Sequence, residues 1–201
     1  NMATGSGKTL VMAGLMLYLY DQGYRNFLFF VNSNTIIQKT KDNFLNPVAG
    51  KYLFAEKIIY NSHEIRVREI ENFEDADSDS INIKFVSIQK LTVDLWAEEN
   101  NKENGLSIED FKEQKMVIIG DEAHHNNADV WGQLVEKIHR SNYSNILLEF
   151  TATTDYENKQ VVDKYCDKVI YKYDLSQFRK DKYSKEINLF RSHLDNEGRI
   201  L

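Results

Sequence analysis

The chain has 201 residues, of which 42% are hydrophobic and 28% are charged, values typical of one globular domain with a sizeable core. It has no apolar run of the roughly 18 residues that a membrane helix needs and no signal-peptide pattern, which argues against a membrane or secreted protein. The single cysteine excludes an internal disulfide and fits a reducing cytoplasm, and the formal net charge of -6 argues weakly against bulk electrostatic attraction to nucleic acid.

A glycine-rich segment at the start of the chain has the composition of a phosphate-binding loop. Gly5 and Gly7 permit the positive φ angles of a tight loop. Lys8 can reach the β- and γ-phosphates of a nucleotide, and Thr9 can place its hydroxyl on Mg²⁺. The apolar run after Lys8 predicts a buried helix that points backbone N–H groups at the phosphates, whereas a merely flexible turn would not need that helix. The residues predicted to bind nucleotide are Thr4, Gly5, Ser6, Gly7, Lys8 and Thr9.

A strand and a capped helix are predicted next. Residues 27–31 read as a buried strand and residues 35–44 as a helix. Ser33 or Asn34 can cap that helix, which would present backbone N–H groups to a phosphate. An ordinary turn between strand and helix is an equal alternative.

Two further strands and two polar segments are predicted in the middle of the chain. The strands cover residues 57–60 and 84–88. The acidic segment 71–80 between them is expected to be a mobile loop. Gln89 follows the second strand and could hydrogen-bond a phosphate or a sugar. Residues 98–113 are polar, which predicts a loop with a short helix that starts near Ser107.

Two adjacent carboxylates follow an apolar run at residues 116–119, a pattern typical of a strand covered on both faces. Open α/β sheets bind ligands at the carboxyl ends of their strands, where Asp121 and Glu122 would lie. We expect Asp121 to hold Mg²⁺, usually through water, and Glu122 to orient and deprotonate the attacking water. His124 would connect the nucleotide site to a neighbouring polar group. A zinc site is disfavoured, because the histidine spacing is wrong and the cysteine lies far along the chain.

The last third of the chain continues the alternation of helices and strands. Residues 131–139 are predicted to form a helix with one apolar face, and residues 146–150 form an apolar run. Residues 168–173 are predicted to be the last strand of this domain. Such alternation implies a mostly parallel sheet flanked by helices on both faces. The apolar face of the predicted helix consists of Trp131, Leu134, Val135 and Ile138.

The glycine loop, the Asp-Glu-Ala-His run at 121–124 and the Thr-Ala-Thr run at 151–153 resemble, in this order, motifs I, II and III of superfamily 2 helicases and translocases. The resemblance implies a three-layer α/β/α, RecA-like P-loop domain that uses ATP and Mg²⁺. It also implies that Thr151, Ala152 and Thr153 couple hydrolysis to motion.

Three further stretches resemble the ATPase part of the restriction subunit of type III restriction-modification enzymes. That resemblance implies an ATP-dependent DNA translocase of the cytoplasm, with double-stranded DNA, a second RecA-like domain and a DNA-methyltransferase subunit as partners. It assigns Asn32, Ser33 and Asn34 to a motif that contacts a nucleic-acid backbone. The alternatives are another superfamily 2 DNA or RNA helicase and a P-loop module that is not a motor. The stretches are residues 30–34 with 39–44, residues 87–91, and residues 173–178 with 183–186.

The expected division of the chain is a RecA-like ATP-binding domain over residues 1–175 and a connection toward a second such domain over 176–201. Only Asn1 and Met2 precede the glycine loop, so we expect the strand that leads into it to be truncated. We expect this piece alone to hydrolyse ATP poorly, because in the family the second domain supplies arginines for the transition state.

Overall fold

The computed structural model describes residues 1–31, 33–55, 57–96, 106–121, 129–153 and 159–183. Its helices are α1 (Lys8–Asp21), α2 (Asn34–Leu45), α3 (Ile88–Trp96), α4 (Ile108–Glu113), α5 (Asp129–Arg140), α6 (Lys159–Tyr165) and α7 (Leu175–Lys180). Its strands are β1 (Asn26–Val31), β2 (Ile58–Tyr60), β3 (His63–Glu69), β4 (Ser80–Ser87), β5 (Met116–Gly120) and β6 (Ile146–Glu149). Within these ranges, no helix is long and apolar enough to cross a membrane.

One sheet organises the fold, with its strands in the order β2-β3-β4-β1-β5-β6. The β3–β4, β4–β1, β1–β5 and β5–β6 pairs are parallel, and β2 pairs antiparallel with β3. Every residue of β1 and β5 is buried, as the two continuous apolar runs predict for central parallel strands. Parallel pairing places the carboxyl ends of β4, β1, β5 and β6 at the same edge of the sheet.

Helices cover both faces of this sheet, because alternate residues of each strand point in opposite directions. Phe27 and Phe29 of β1 pack in one core with Met12 and Met16 of α1 and Phe44 of α2. Leu28 and Phe30 pack in a second core, on the opposite face, with Leu91 of α3, Phe111 of α4 and Ile138 of α5. The predicted three-layer α/β/α architecture with a mostly parallel sheet is therefore confirmed.

The middle of the chain differs from the prediction. A strand that was not predicted, β3, alternates apolar and charged residues and buries Ile65, while Glu64, Arg66 and Arg68 are exposed. β4 begins at Ser80, and the expected mobile loop at 71–80 contains a 3-10 turn, Phe73–Asp75, whose Phe73 is buried in the second core. The Asp77 carboxylate accepts hydrogen bonds from the Asp79 N–H (2.9 Å) and the Ser80 hydroxyl (2.7 Å). This segment is thus anchored at both ends by side chains.

The short helix expected near Ser107 is present as α4, with Ser107 as its N-cap residue. The backbone N–H of Ser107 donates to the Asp110 carboxylate at 2.7 Å, a capping-box contact. The apolar face predicted for α5 is confirmed, since Leu134, Val135 and Ile138 are buried, while the side chain of Trp131 lies outside the described part.

Helix α1 is less buried than its sequence suggests. Met12 and Met16 are fully buried, but Leu10 is 61% exposed and Tyr18 is 57% exposed. The predicted buried helix is therefore buried along one side only, because α1 packs on the sheet with that side. Apolar composition alone does not reveal this, since the residues of the exposed side are as apolar as those of the buried side.

The last predicted strand, residues 168–173, does not form. An isolated parallel bridge joins Tyr173 to Met2, and Ile170 is 88% exposed. Tyr173 donates its N–H to the Asn1 carbonyl (2.8 Å) and accepts from the Ala3 N–H (2.8 Å). A strand needs a neighbour along its length, and in the described ranges this segment pairs with residues 1–3 only near its carboxyl end.

Candidate functional site

The glycine loop between Ala3 and Lys8 is a tight turn with positive φ angles. Gly5 has φ 80° and Gly7 has φ 94°, in the left-handed region that favours glycine. A Cβ added to either glycine would meet no heavy atom within 4 Å, so torsion rather than space requires glycine here. The Ala3 carbonyl accepts hydrogen bonds from the Ser6 hydroxyl (2.6 Å) and the Ser6 N–H (3.2 Å). The loop is therefore preformed, and it has open space where a ligand would approach.

The loop leads directly into the N-terminus of α1, because Gly7 is the N-cap residue of that helix. Val11 donates its N–H to the Gly7 carbonyl at 3.1 Å, which is the first intrahelical bond. The N–H groups of the preceding turn point back along the helix axis toward the loop, where they and the helix dipole favour an anion. The Lys8 ammonium lies 3.4 Å from the Met2 carbonyl oxygen, so its positive charge lies beside the loop.

Asp121 lies directly beyond the carboxyl end of β5, and its side chain is 9% exposed. Its N–H donates to the Phe30 carbonyl of β1 at 3.2 Å. The preceding residue, Gly120, packs so closely on the Phe30 ring that a Cβ there would lie 2.8 Å from Phe30 Cζ. Main-chain pairing and this close packing together position the Asp121 carboxylate at the sheet edge.

The Thr-Ala-Thr segment lies just beyond the end of β6, and main-chain hydrogen bonds join it and the preceding Phe150 to residues beside the other two motifs. Phe150 donates its N–H to the Gly120 carbonyl (2.8 Å), and Met2 donates its N–H to the Thr151 carbonyl (2.8 Å). Within the segment, the Thr151 hydroxyl donates to the Thr153 carbonyl (2.8 Å) and accepts from the Thr153 N–H (3.2 Å). A continuous set of main-chain bonds thus joins the glycine loop, the Thr-Ala-Thr segment and Asp121.

A buried contact behind this segment was not anticipated from the sequence. Glu149, the last residue of β6, lies close to the Tyr165 hydroxyl of α6. Burial, followed by the charge and side-chain contact of Glu149, raises the pKa of Tyr165 far above its usual range. Nothing in the local pattern pairs these residues, because they belong to different elements. The contact holds α6 against the strand that carries the Thr-Ala-Thr segment.

The three described residues of the predicted nucleic-acid set, Ser33, Asn34 and Gln89, lie at the same sheet edge but in different local settings. Ser33 is the N-cap residue of α2, and its carbonyl accepts from the Ile36 and Ile37 N–H groups at 3.1 Å. Asn34 is the first residue of α2. Gln89 was expected to follow a strand directly, but β4 ends at Ser87 and Gln89 is an exposed residue in the first turn of α3. That prediction is corrected: the Ser87 hydroxyl accepts from the Lys90 N–H at 3.3 Å and caps the helix.

Three predicted site residues, Asn32, Glu122 and His124, lie outside the described residues. Of the nucleotide-binding set, Thr4 is exposed, whereas Lys8 and Thr9 are half-buried. The described residues contain no cluster of three or more metal-ligating histidine, cysteine or carboxylate side chains. Mg²⁺ does not need one, because it keeps several waters and takes one or two protein oxygens together with substrate phosphates. The Thr9 hydroxyl and the Asp121 carboxylate carry oxygen atoms of that kind.

Comparison with known proteins places this arrangement in a defined group. A model of the family described as type III restriction enzyme, res subunit, matches residues 1–156. A Haemophilus influenzae protein, the probable type III restriction-modification enzyme HindVIP Res subunit, is 42% identical over 232 aligned residues. The alignment covers 100% of this chain and 44% of that protein, so the chain spans less than half the length of this relative.

The solved structure of the UvsW helicase from bacteriophage T4 has a similar fold, with a TM-score of 0.51 and 15% sequence identity. The match covers 82% of this chain and 49% of the UvsW chain. At this identity the likeness concerns the fold alone, and it confirms the predicted RecA-like architecture.

Proposed function

We propose that this chain, which belongs to the type III restriction enzyme res subunit family, is the ATP-binding motor domain of an ATP-dependent DNA translocase or helicase. The observation that carries the proposal is the hydrogen-bonded connection between the three motifs. Met2 beside the glycine loop bonds Thr151, and Phe150 bonds Gly120 beside Asp121. A displacement of the loop by phosphate would therefore be transmitted directly to the Thr-Ala-Thr segment.

In this proposal the glycine loop and the first turn of α1 bind the phosphates of ATP, and Lys8 neutralises their charge. Thr9 and Asp121 hold Mg²⁺, which when bound shields the negative charge that builds up during phosphoryl transfer. Glu122 orients and deprotonates the attacking water, and His124 connects it to a neighbouring polar group. Thr151, Ala152 and Thr153 couple hydrolysis to movement.

The proposed polymer is double-stranded DNA, held along the edge formed by the carboxyl ends of β1 and β4. Asn32, Ser33, Asn34 and Gln89 are the proposed contacts there, and backbone N–H groups at the start of α2 suit a phosphate. The proposed partners are a second RecA-like domain and a DNA-methyltransferase subunit, in the cytoplasm. We retain residues 1–175 as the proposed domain and 176–201 as the connection, with α7 (Leu175–Lys180) lying across that boundary.

The test is the ATPase activity of the full-length protein with Mg²⁺ and duplex DNA, RNA or no polymer. Duplex DNA is expected to stimulate turnover, and stimulation by RNA alone would contradict a DNA translocase. Glu122→Gln is expected to lower turnover by about 10²- to 10⁴-fold, the usual contribution of a positioned base, without loss of ATP binding. Glu113→Gln, at the exposed end of α4, is the matched control and is expected to leave turnover unchanged. Normal turnover by Glu122→Gln would refute the proposed mechanism.

A further inference from the structure

Four aromatic rings near the end of the described chain form a continuous series, which we name the aromatic ladder: Tyr171, Tyr173, Phe178 and Tyr183. Tyr171 and Tyr173 are stacked, with centroids 6.5 Å apart and an interplanar angle of 28°. Tyr173 meets Phe178 edge to face at 5.9 Å, and Phe178 stacks on Tyr183 at 6.1 Å and 25°. These separations lie in the range of attractive ring contacts.

The aromatic ladder is attached to the residues that lead into the glycine loop. The Tyr173 carbonyl accepts from the Ala3 N–H at 2.8 Å, and the bridge between Tyr173 and Met2 is parallel. Both segments therefore leave the sheet in the same direction, Ala3 into the glycine loop and Tyr173 into α7. Tyr173 thus connects the residues that lead into the glycine loop to Phe178, and Phe178 connects to Tyr183 at the other end of the ladder.

The contacts within the ladder hold Tyr183 in place but leave it open to solvent. Tyr173 and Phe178 are half-buried, whereas Tyr183 is 74% exposed. The Tyr183 N–H donates to the Phe178 carbonyl at 3.2 Å. The Tyr173 hydroxyl donates to Asp181 at 2.9 Å, and desolvation, followed by this bond, raises the pKa of Tyr173 to about 12. One face of the Tyr183 ring is supported by Phe178, and the side chain remains accessible.

The chain just before Tyr183 is rich in basic residues. Arg179, Lys180 and Lys182 are exposed and lie on either side of Asp181 in the chain. A flat ring supported from behind and flanked by cations suits a ligand that combines a planar aromatic system with negative charge. A nucleotide has both, and its phosphates would lie at the neighbouring glycine loop.

We propose that Tyr183, supported by Phe178, stacks on the nucleobase of the nucleotide whose phosphates occupy the glycine loop. This inference rests on the proposed function. It assigns the base to residues that follow the Thr-Ala-Thr segment by about thirty positions, and it makes the site tolerant of different bases, because every base has a π-face.

The test compares ADP with tripolyphosphate, which has no base, by calorimetric titration of the full-length protein in the presence of Mg²⁺. Tyr183→Ala is expected to weaken ADP binding by about tenfold, the scale of one lost base–aromatic stack, with tripolyphosphate binding unchanged. Tyr183→Trp keeps a flat ring and is expected to retain ADP affinity. Tyr143→Ala, which removes a fully exposed tyrosine before β6, is the matched control and is expected to bind both probes normally.

Equal weakening of both probes by Tyr183→Ala would overturn the proposal, because it would mean that the ladder supports the loop and not the base. Unchanged ADP binding by Tyr183→Ala would overturn it as well. The Lys8→Ala variant distinguishes failure of the stacking proposal from failure of the proposed nucleotide site at the glycine loop. If Lys8→Ala weakens both probes while Tyr183→Ala weakens neither, the nucleotide site stands and the stacking proposal falls. If the unaltered protein binds neither probe, both proposals are refuted.

Discussion

Gly120 has the least room for a side chain among the glycines of the described ranges. A Cβ at this position would lie 2.8 Å from Phe30 Cζ and 3.2 Å from Cε2. Because both residues lie in central buried strands, the Phe30 ring has little space to move away. Glycine at this position therefore lets the backbone before Asp121 lie against the Phe30 ring, which a larger residue would push away.

Gly120→Ala is expected to lower the free energy of unfolding by about 1–3 kcal/mol, the usual cost of overpacking a core. It is also expected to weaken nucleotide binding, because the Phe30 ring and the Asp121 N–H contact to Phe30 would shift together. Urea unfolding and calorimetry measure the two effects. In the Gly120→Ala background, Phe30→Leu is expected to recover part of the loss, since it removes the clashing ring atoms.

Gly14→Ala is the matched control for that substitution. Gly14 lies inside α1, and a Cβ there would meet no atom within 4 Å. Alanine in a helix interior is more favourable than glycine by about 0.5–1 kcal/mol, so this variant is expected to be slightly more stable. If the two variants changed stability by the same amount, packing around Gly120 would not be the cause.

Lys84 is a buried lysine in β4, only 3% exposed, whose ammonium donates to the Glu71 carbonyl. Burial lowers the pKa of Lys84, and the charge of Lys90 adds to this effect. The carboxylates of Glu71, Asp94 and Asp110 act in the opposite direction without reversing it. The folded protein therefore holds the Lys84 proton less tightly than the unfolded chain does.

This pKa difference predicts a pH dependence of stability. Between the lowered folded pKa and the ordinary lysine value of 10.5, the unfolded chain binds more protons, so the contribution of Lys84 to stability rises with pH. Urea unfolding at several pH values up to about 10 is expected to show this rise in the unaltered protein relative to Lys84→Met. Lys51→Met, at an exposed position, is the control and is expected to follow the unaltered protein. A constant difference between the unaltered protein and Lys84→Met across this range would contradict the prediction.

At the scale of elements, one buried amide joins four of them. Asn145 immediately precedes β6 and is 5% exposed. Its Oδ1 accepts from the Met116 N–H at the start of β5 (3.0 Å), and its Nδ2 donates to the Phe111 carbonyl of α4 (3.1 Å) and the Ile138 carbonyl of α5 (3.2 Å). These bonds satisfy backbone groups near the ends of β5, α4 and α5. The groups lie at the edge formed by the amino ends of β5 and β6, opposite the glycine loop.

Asn145→Ala is expected to lower the free energy of unfolding by about 1–3 kcal/mol, because it leaves the buried Met116 N–H without its partner and removes one donor each from the Phe111 and Ile138 carbonyls, which Ser141 also bonds. Asn142→Ala is the control: its side chain bonds the Lys112 carbonyl and the Ser144 N–H at the surface, and its loss is expected to cost about 1 kcal/mol or less. Both values follow from urea titration. Equal costs would show that Asn145 does not join the elements as inferred.

At the scale of the whole molecule, nucleotide binding is expected to raise the melting temperature. A ligand that binds only the folded state stabilises it by about 2.7 kcal/mol at 100 times its Kd. For a domain of this size that corresponds to a shift of roughly 5–10 °C in the transition of this domain. Differential scanning calorimetry of the full-length protein with Mg²⁺ and ADP measures it. Lys8→Ala is expected to lose most of the shift and Lys51→Ala to keep it, so an unchanged shift in Lys8→Ala would argue against phosphate binding at the glycine loop.

Sequence patterns predicted the elements whose signals are local. β1 and β5 are continuous apolar runs, and α4 has a capping box around Ser107. The strand β3 was missed because its face toward solvent is charged, which resembles a polar loop. Residues 168–173 were assigned to a strand on apolar composition, but strand formation depends on a neighbour that the pattern does not specify.

The sequence by itself determined the chemistry of the site residues and the order of the layers, because loop torsion, charge and hydrophobic period are properties of short segments. Only the tertiary structure decided which segments meet: Met2 with Thr151, Phe150 with Gly120, and Tyr165 with Glu149. It also decided that Gln89 lies in the first turn of a helix and that Tyr183 ends the aromatic ladder. These contacts join residues distant in the chain, and they form through sheet pairing and packing, which no local pattern encodes.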